Sequence, residues 1–178
     1  MNRSNRWLEE GKKVLWEVGV RGSQTILDFG CGSGNYTIPA AEIVSKRGTV
    51  YALDKDHWKL NKLIERSNSM GLQNVKKIET SGELQIPLAD ESVDVVLLYD
   101  VLHHYYFTFN ERRELLREVY RIVKPNAIIS VYPKHIDPHE LTKAMEEAHL
   151  YLKNKHSVTL LVHDDNIEEG EIYNFTKG

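Results

Sequence analysis

The sequence contains a single cysteine, Cys31, and no apolar run approaching the roughly 20 residues that a membrane helix needs. One cysteine excludes an intrachain disulfide and a cluster of thiolates around a metal ion, so no metal site is expected. The first residues, MNRSNRWLEEGKK, lack an apolar signal core, and no basic tail accompanies the net charge of −3. These absences predict a cytoplasmic protein with neither a membrane nor a nucleic acid as its partner.

The composition indicates one globular domain. The chain has 178 residues, of which 41% are hydrophobic and 28% are charged. It contains no repeat, low-complexity tract or convincing linker. We therefore expect a single domain over residues 1–178, with an N-terminal helical segment in residues 1–22 that covers one side of the ligand site and a core in residues 23–178.

Helix-like and strand-like apolar periods alternate along the chain. Helix signals begin near Trp7, after the glycine-rich stretch, at Asp56, at the Thr108 capping box and at the Asp137-Pro138 pair. The last of these helices is expected to carry Leu152 on its apolar face. The predicted strands are residues 25–29, 49–53, 75–79, 93–98, 127–132, 158–162 and 172–175.

The last two predicted strands have only the acidic loop HDDNIEEG between them. Such a short connection requires a hairpin, so one of these strands must run antiparallel. The pattern as a whole predicts a single α/β sandwich in which about five helices cover a sheet of seven strands.

Three alternating glycines, Gly30, Gly32 and Gly34, follow the first predicted strand in the stretch ILDFGCGSGN. A glycine-rich turn at this place is the general nucleotide-binding device of doubly wound sheets. The dinucleotide pattern G-x-G-x-x-G is not met, because Asn35 stands where its third glycine belongs. The Walker pattern fails as well, since no Gly-Lys-Ser/Thr follows the turn.

Asp28 indicates which ligand this turn would bind. A carboxylate close to a pyrophosphate is repulsive, whereas one close to a cation is attractive. S-adenosylmethionine carries an ammonium and a sulfonium and has no phosphate, so it suits the acid better than NAD does. Hydrogen bonding of Asp28 to the amides of the turn is an alternative role that is compatible with this one.

Asp54 closes the second predicted strand, YALD. In a doubly wound sheet the end of that strand lies beside the bound ribose. A carboxylate at this position can accept hydrogen bonds from both ribose hydroxyls. The alternative is that Asp54 or Asp56 only caps the following helix.

Together, ILDFGCGSGNYT, YALD, LQIPLADESVDVVLLYDVLHHY and LREVYRIVKPNAII resemble the class I S-adenosylmethionine-dependent methyltransferases. The resemblance is greatest to the branch that includes ubiquinone-biosynthesis and other small-molecule methyltransferases, and it covers about residues 25–132. It implies a single Rossmann-like, doubly wound α/β domain with helices on both faces. The implied sheet is mostly parallel, in the order 3-2-1-4-5-7-6, with strand seven antiparallel.

The resemblance also implies the cofactor, S-adenosyl-L-methionine, and a set of residues that would bind it. The turn of Gly30, Cys31, Gly32 and Gly34 would lie under its methionine part, with Cys31 as a small residue that fits there. Asp28 would lie near the ammonium, Asp54 would hold the ribose and Lys55 would flank the adenine. The acid that family members often use for the adenine amino group is replaced by Gly82, so Glu83, or the backbone amides of Glu83 and Leu84, would take its place.

The residues that follow the fourth predicted strand lie where the reacting methyl group is expected. Asp100 is implied to contact the cofactor or, equally well, to cap a helix. Because methyl transfer needs a general base only when the acceptor must lose a proton, no fixed catalytic residue can be identified. Asp100, His104 and Tyr105 are candidates by location, although a structural role is favoured for His103 and His104.

His135 and His139 are four residues apart, but Pro138 interrupts a continuous helix between them and argues against a metal site.

The expected function is methyl transfer from S-adenosylmethionine to an unidentified small-molecule acceptor. Its pocket could be lined by aromatic residues and completed by a second subunit, although the same aromatics could simply bury area. The aromatic candidates are Trp7, Trp16, Tyr36, Tyr105, Tyr106 and Phe107. The alternative is a module that binds the cofactor for a regulatory or partner role and has no acceptor chemistry.

Overall fold

The computed structural model describes residues 3–161 and 167–178. Five α-helices are described: α1 (Arg3–Glu17), α2 (Thr37–Val44), α3 (His57–Ser69), α4 (Phe109–Ile122) and α5 (Pro138–Glu147). The strands are β1 (Thr25–Phe29), β2 (Thr49–Asp54), β3 (Val75–Glu79), β4 (Val93–Tyr99), β5 (Val123–Tyr132), β6 (Leu150–Leu161) and β7 (Ile167–Lys177).

The strands form one sheet in the order β3-β2-β1-β4-β5-β7-β6. β1 pairs in parallel with β2 and β4, and β7 pairs antiparallel with both β5 and β6. The predicted fold class and strand order are therefore confirmed. The order reverses between β1 and β4, and ligands of doubly wound sheets bind at such a point, beyond the carboxyl ends of the strands.

The central strands are buried on both faces because helices cover both sides of the sheet. Successive residues of β1 show this, since Ile26 packs with α1, α2 and α3 whereas Leu27 packs with α4 and α5. Both side chains are fully buried. The N-terminal helix α1 contacts α2 and β6.

Local sequence signals account for the start of three helices. The Asp56 carboxylate accepts a hydrogen bond from the Lys59 amide at α3, and Thr108 forms a complete capping box at α4. Asp137 caps α5, whose first residue is Pro138. The starts predicted from these motifs are confirmed.

The prediction for the region around Leu152 was wrong. α5 ends at Glu147, and Leu152 lies in β6, which begins at Leu150. Most side chains from residue 151 to 157 are exposed on this edge strand, and a bulge interrupts its register between Leu152 and Asn154. The polar composition of this segment therefore gave no strand alternation, and Leu152 fitted the period of the preceding helix by chance.

β5 and β7 are also longer than the sequence predicted, beginning at Val123 and Ile167. Val162, the last residue of the predicted sixth strand, and the first part of the acidic loop lie outside the described residues. No helix in the described ranges, 3–161 and 167–178, is both long and apolar enough to span a lipid bilayer.

Candidate cofactor site at the switch point

The glycine turn is anchored to the end of β2 by the backbone. The amides of Gly30 and Cys31 both donate to the carbonyl oxygen of Leu53, at 2.8 and 3.1 Å. Gly30, Gly32 and Gly34 have φ values of +73°, +51° and +87°, a region that glycine adopts at little cost. The alternating glycines are thus required by the path of the chain.

The three glycines nevertheless face different surroundings. A Cβ atom at Gly30 would lie 2.5 Å from Cγ1 of Val101, and one at Gly34 would collide with Leu63 of α3. At Gly32 nothing lies within 4 Å of that position. Gly34 therefore lets the turn pack against α3, whereas Gly32 leaves open space above the backbone.

Asp54 ties the turn to the start of α3. Its Oδ2 accepts the Gly32 amide at 2.7 Å, and its Oδ1 accepts the Asp56 amide at 2.8 Å. Asp56, rather than Asp54, is the helix cap. A carboxylate offers about four acceptor sites, so Asp54 retains room for two further donors.

Asp28 lies at the bottom of the site and is buried. Its Oδ2 accepts the Thr37 hydroxyl at 2.6 Å, so its partner is the first residue of α2 and not an amide of the turn. Burial raises the pKa of Asp28 to about 6, Thr37 opposes the rise, and the nearby charge of Asp54 adds to it. Asp28 is therefore ionised at pH 7 but costly to keep charged, and a cation beside it would relieve that cost.

A pocket opens over this floor at the carboxyl ends of β1 and β4. It brings together Asp28, Gly30, Cys31, Gly32 and Asp100 from the predicted set. The other lining residues are Ser33, Asn35, Tyr36, Tyr99, Tyr132 and Leu161. Neither Gly34 nor Asp54 lines this pocket, although Asp54 reaches it through the Gly32 amide.

The residues predicted near the adenine do not line this pocket. Lys55 follows Asp54 directly and places Nζ 5.3 Å from the ring centroid of Tyr106. The Glu83 carboxylate accepts the Ser81 amide at 2.8 Å, which closes a local turn. Leu84 packs against the apolar core below α4.

The candidates after β4 differ strongly in exposure. Asp100 and His103 are largely shielded, and the neighbouring His104, Tyr105 and Tyr106 are exposed. The Tyr105 and His104 rings pack in a tilted arrangement with centroids 4.1 Å apart. The Tyr106 ring packs in the same way against the buried His103 ring, with centroids 4.4 Å apart. This segment therefore forms an aromatic surface at the edge of the site.

The aromatic residues considered for an acceptor pocket do not form one cluster. Trp7 is buried in the core, and Trp16 carries the Arg21 guanidinium 4.6 Å from its ring. Tyr36 lines the pocket and hydrogen-bonds through its hydroxyl to the backbone of Leu161, while Phe107 packs near Phe29.

Cys31 behaves as a small buried residue. Burial raises the pKa of its thiol far above the ordinary value, which keeps the group protonated and unreactive. In the part of the chain that the structure describes, no group of three or more His, Cys, Asp or Glu side chains is arranged to hold a metal ion.

Several residues of the site were not predicted from the sequence. Tyr99, Tyr132 and Leu161 line the pocket, and Thr37 donates to Asp28. The four residues come from separate segments that no single motif spans. Their alignment follows from strand pairing, because Tyr99 is opposite Tyr132 in the register of β4 and β5.

Comparison with known proteins identifies the family. Residues 27–131 match the family model described as a methyltransferase domain. Demethylmenaquinone methyltransferase of Geobacillus stearothermophilus is 33% identical over 123 residues, which cover 69% of this chain and 50% of that protein. The ubiquinone/menaquinone biosynthesis C-methyltransferase UbiE of Citrobacter koseri is 29% identical over 114 residues, which cover 64% of this chain and 43% of that protein.

Among solved structures, a SAM dependent methyltransferase from Aquifex aeolicus superposes with a TM-score of 0.75 at 25% identity, covering 98% of this chain and 94% of that one. The chain spans about half the length of the curated relatives it matches. The family model covers more than half of the chain and includes the glycine turn, Asp54 and the β4 terminus. The chain therefore belongs to the methyltransferase-domain family, within the class I, S-adenosylmethionine-dependent group that contains the ubiquinone-biosynthesis-like proteins.

Proposed function

We propose that this chain binds S-adenosylmethionine at the carboxyl ends of β1, β2 and β4 and transfers its methyl group to a small-molecule acceptor. The observation that carries the proposal is the open space over Gly32 between two carboxylates, Asp28 and Asp54. Among the described residues neither acid forms an ion pair, and two such carboxylates suit a cationic ligand and oppose a pyrophosphate.

The residues present fit this cofactor. We assign the backbone of Gly30, Cys31 and Gly32 to its methionine part and Asp28 to its ammonium. Asp54 has two acceptor sites left for the ribose hydroxyls.

The remaining contacts are proposed with the rest of the predicted set. Lys55 would flank the adenine, and Glu83 or the amides of Glu83 and Leu84 would contact its amino group. Asp100 lines the pocket near the place of reaction. Gly34 supports the turn by allowing Leu63 to approach it.

When bound, the cofactor supplies an electrophilic methyl group on a sulfonium that leaves as a neutral thioether. The task of the protein is to hold donor and acceptor in line, which can contribute about 7–11 kcal/mol to lowering the barrier. The rigid turn and the buried strand ends of β1 and β4 supply such a fixed frame.

The nature of the acceptor is proposed from the relatives, whose names point to quinone precursors. Reduced demethylmenaquinone is therefore the first acceptor to test. Three further expectations stay predictions. They are a cytoplasmic location, a second subunit that completes the acceptor pocket, and the absence of nucleic-acid and membrane partners.

Calorimetry with adenosylhomocysteine and with NAD tests the cofactor assignment. We expect adenosylhomocysteine to bind and NAD to give no heat, because its pyrophosphate would face Asp28 and Asp54. Binding of NAD without binding of adenosylhomocysteine would contradict the proposal.

A second candidate is a module that binds the cofactor without acceptor chemistry. A screen of acceptors with methyl-tritiated S-adenosylmethionine separates the two, since only an enzyme transfers the label. The screen should include phenols, hydroquinones, amines and thiols beside reduced demethylmenaquinone.

A further inference from the structure

Asp100 has an unsatisfied carboxylate beside the pocket. Its Oδ1 is buried and accepts no hydrogen bond from any described residue. Its φ of +56° is rare for a residue with a side chain, and its amide donates to the Tyr132 carbonyl at 3.1 Å. Unpaired buried groups and strained backbone concentrate at functional sites, because folding alone does not favour them.

Two imidazoles flank this oxygen. Nε2 of His103 lies 3.8 Å from Asp100 Oδ1, and Nε2 of His135 lies 3.7 Å from the same atom. The two rings meet edge to face with centroids 5.4 Å apart. These distances exceed a hydrogen bond, as is common for catalytic groups before substrate binds.

The two histidines cannot have the same role. His103 is buried, and its Nδ1 accepts the Tyr105 amide at 3.3 Å, which leaves the ring proton on Nε2, facing Asp100. Burial lowers the pKa of His103 and keeps it neutral. The His135 side chain is 45% exposed, so it can meet a substrate and release a proton to water.

The surrounding charges leave Asp100 free for this pairing. Glu168, the other carboxylate near His135, is engaged by Lys134 at 2.8 Å and by the Tyr132 hydroxyl. The only other titratable ring close to His135 among the described residues is Tyr105, at a centroid distance of 6.4 Å. His135 is therefore the exposed group that Asp100 can orient.

We propose that His135 accepts the proton that the methyl acceptor loses, and that Asp100 is the positioning residue that orients the imidazole. The inference rests on the proposed function and extends it to the acceptor. As the acceptor atom bonds to the methyl carbon, the carbon–sulfur bond breaks with its electron pair on sulfur. The acceptor's bond to hydrogen breaks with its pair on the acceptor, and the proton goes to the His135 nitrogen that does not face Asp100. The resulting imidazolium is stabilised by the Asp100 carboxylate.

This arrangement defines the class of acceptor. A group that must lose a proton, such as a hydroxyl or an activated C–H of a hydroquinone ring, uses a base of this kind. A thioether or tertiary amine has no proton to lose and would not need one.

His104 is the competing base, because it is exposed and lies in the segment after β4 that also contains Asp100 and His103. Among the described residues it has no carboxylate within 4 Å, and its ring packs, tilted by 39°, against Tyr105. No described residue forms a hydrogen bond that would orient its ring nitrogens towards the pocket.

The positioning part is tested by nuclear magnetic resonance on the full chain, labelled with ¹⁵N in its histidine rings and saturated with adenosylhomocysteine. The His135 signals are assigned by their loss in His135→Gln. We expect neutral His135 to carry its proton on Nε2, and we expect this preference to weaken in Asp100→Asn, while the ring signals of His139 are unchanged in both variants. Identical His135 ring shifts in the wild type and Asp100→Asn would overturn the proposal.

The proton-transfer part is tested with the acceptor found by the tritium screen. His135→Gln should lower the transfer rate by about 10²–10⁴-fold, the usual effect of removing a general base. Its affinity for adenosylhomocysteine should stay within about twofold of wild type, because His135 does not line the cofactor pocket. His139→Gln, the same change at an exposed neighbour, should leave the rate unchanged.

Full transfer by His135→Gln, or a large loss in His104→Gln alone, would refute the assignment of the base. A failure of the cofactor proposal is distinguishable, because adenosylhomocysteine would then give no heat with the wild type.

Discussion

Replacing Asp28 by asparagine should weaken cofactor binding without destabilising the cofactor-free protein. The carboxylate is buried, and the rise of its pKa from 3.8 to about 6 corresponds to about 3 kcal/mol, at 1.36 kcal/mol per pKa unit. In the wild type the Thr37 hydroxyl donates to Asp28 at 2.6 Å. Asparagine keeps an oxygen that can accept this hydrogen bond and removes the charge. The buried amide brings a desolvation cost of its own, about 1–3 kcal/mol. We therefore expect the variant to be as stable as the wild type or up to about 2 kcal/mol more stable at pH 7.

The pH dependence of this difference follows from linkage. Between about pH 3.8 and 6 the folded protein holds a proton on Asp28 that the unfolded chain has lost, so this group lowers the free energy of unfolding as the pH rises. The penalty is complete above about pH 6 and absent below about 3.8. The stability difference between Asp28→Asn and the wild type should therefore be largest at neutral pH and shrink on acidification.

Cofactor affinity should change in the opposite sense. Below about pH 6 Asp28 takes up a proton and can no longer pair with an ammonium, so the affinity of the wild type for adenosylhomocysteine should fall. Asp28→Asn should bind weakly and show little change over the same range. The variant thereby separates the effect of Asp28 from that of every other ionisable group near the site.

Urea unfolding between pH 4 and 8 and calorimetry with adenosylhomocysteine give the two measurements. A variant that is clearly less stable than the wild type at pH 7 would show that the buried charge is compensated within the protein. Unchanged affinity would show that Asp28 does not face the cofactor's cation. Either result would refute this account of the pocket.

Two further substitutions test the turn. Asp54→Asn should lower adenosylhomocysteine affinity about tenfold or more, since hydrogen bonds to a charged group contribute about 1.5–3 kcal/mol. It should also lower the stability of the protein, because asparagine can accept only one of the Gly32 and Asp56 amides. The control Asp56→Asn should change little, since aspartate and asparagine cap helices about equally well. Equal affinities of both variants and the wild type would make Asp54 purely structural. Gly32→Val meets no neighbour but is strained at φ +51°, so it should fold with reduced stability and lose calorimetric binding. Gly34→Ala should unfold more readily than the wild type because its Cβ also meets Leu63. Unchanged binding by a folded Gly32→Val would remove the turn from the site.

The parts of the fold that could be predicted are those encoded in contiguous residues. The glycine turn, the Asp56 and Thr108 caps and the buried run of β4 each carry their signal within a few positions. β6 could not be predicted over its full length, because an exposed edge strand has no apolar alternation to read. Its position follows from pairing with β7, a contact between distant segments.

The same distinction explains why His135 could not be identified from the sequence as a partner of Asp100. The two residues belong to connections that follow different strands, and only the parallel register of β4 with β5 brings them together. Once that register is known, the chemistry can be worked out: Tyr99 pairs with Tyr132, so the residues just beyond each strand meet at the switch point. The left-handed backbone of Asp100 then keeps its carboxylate at this edge, where two imidazoles face it. Cofactor binding depends on a motif that is local in sequence, whereas activation of the acceptor depends on the pairing of strands, and only the first could be inferred without the structure.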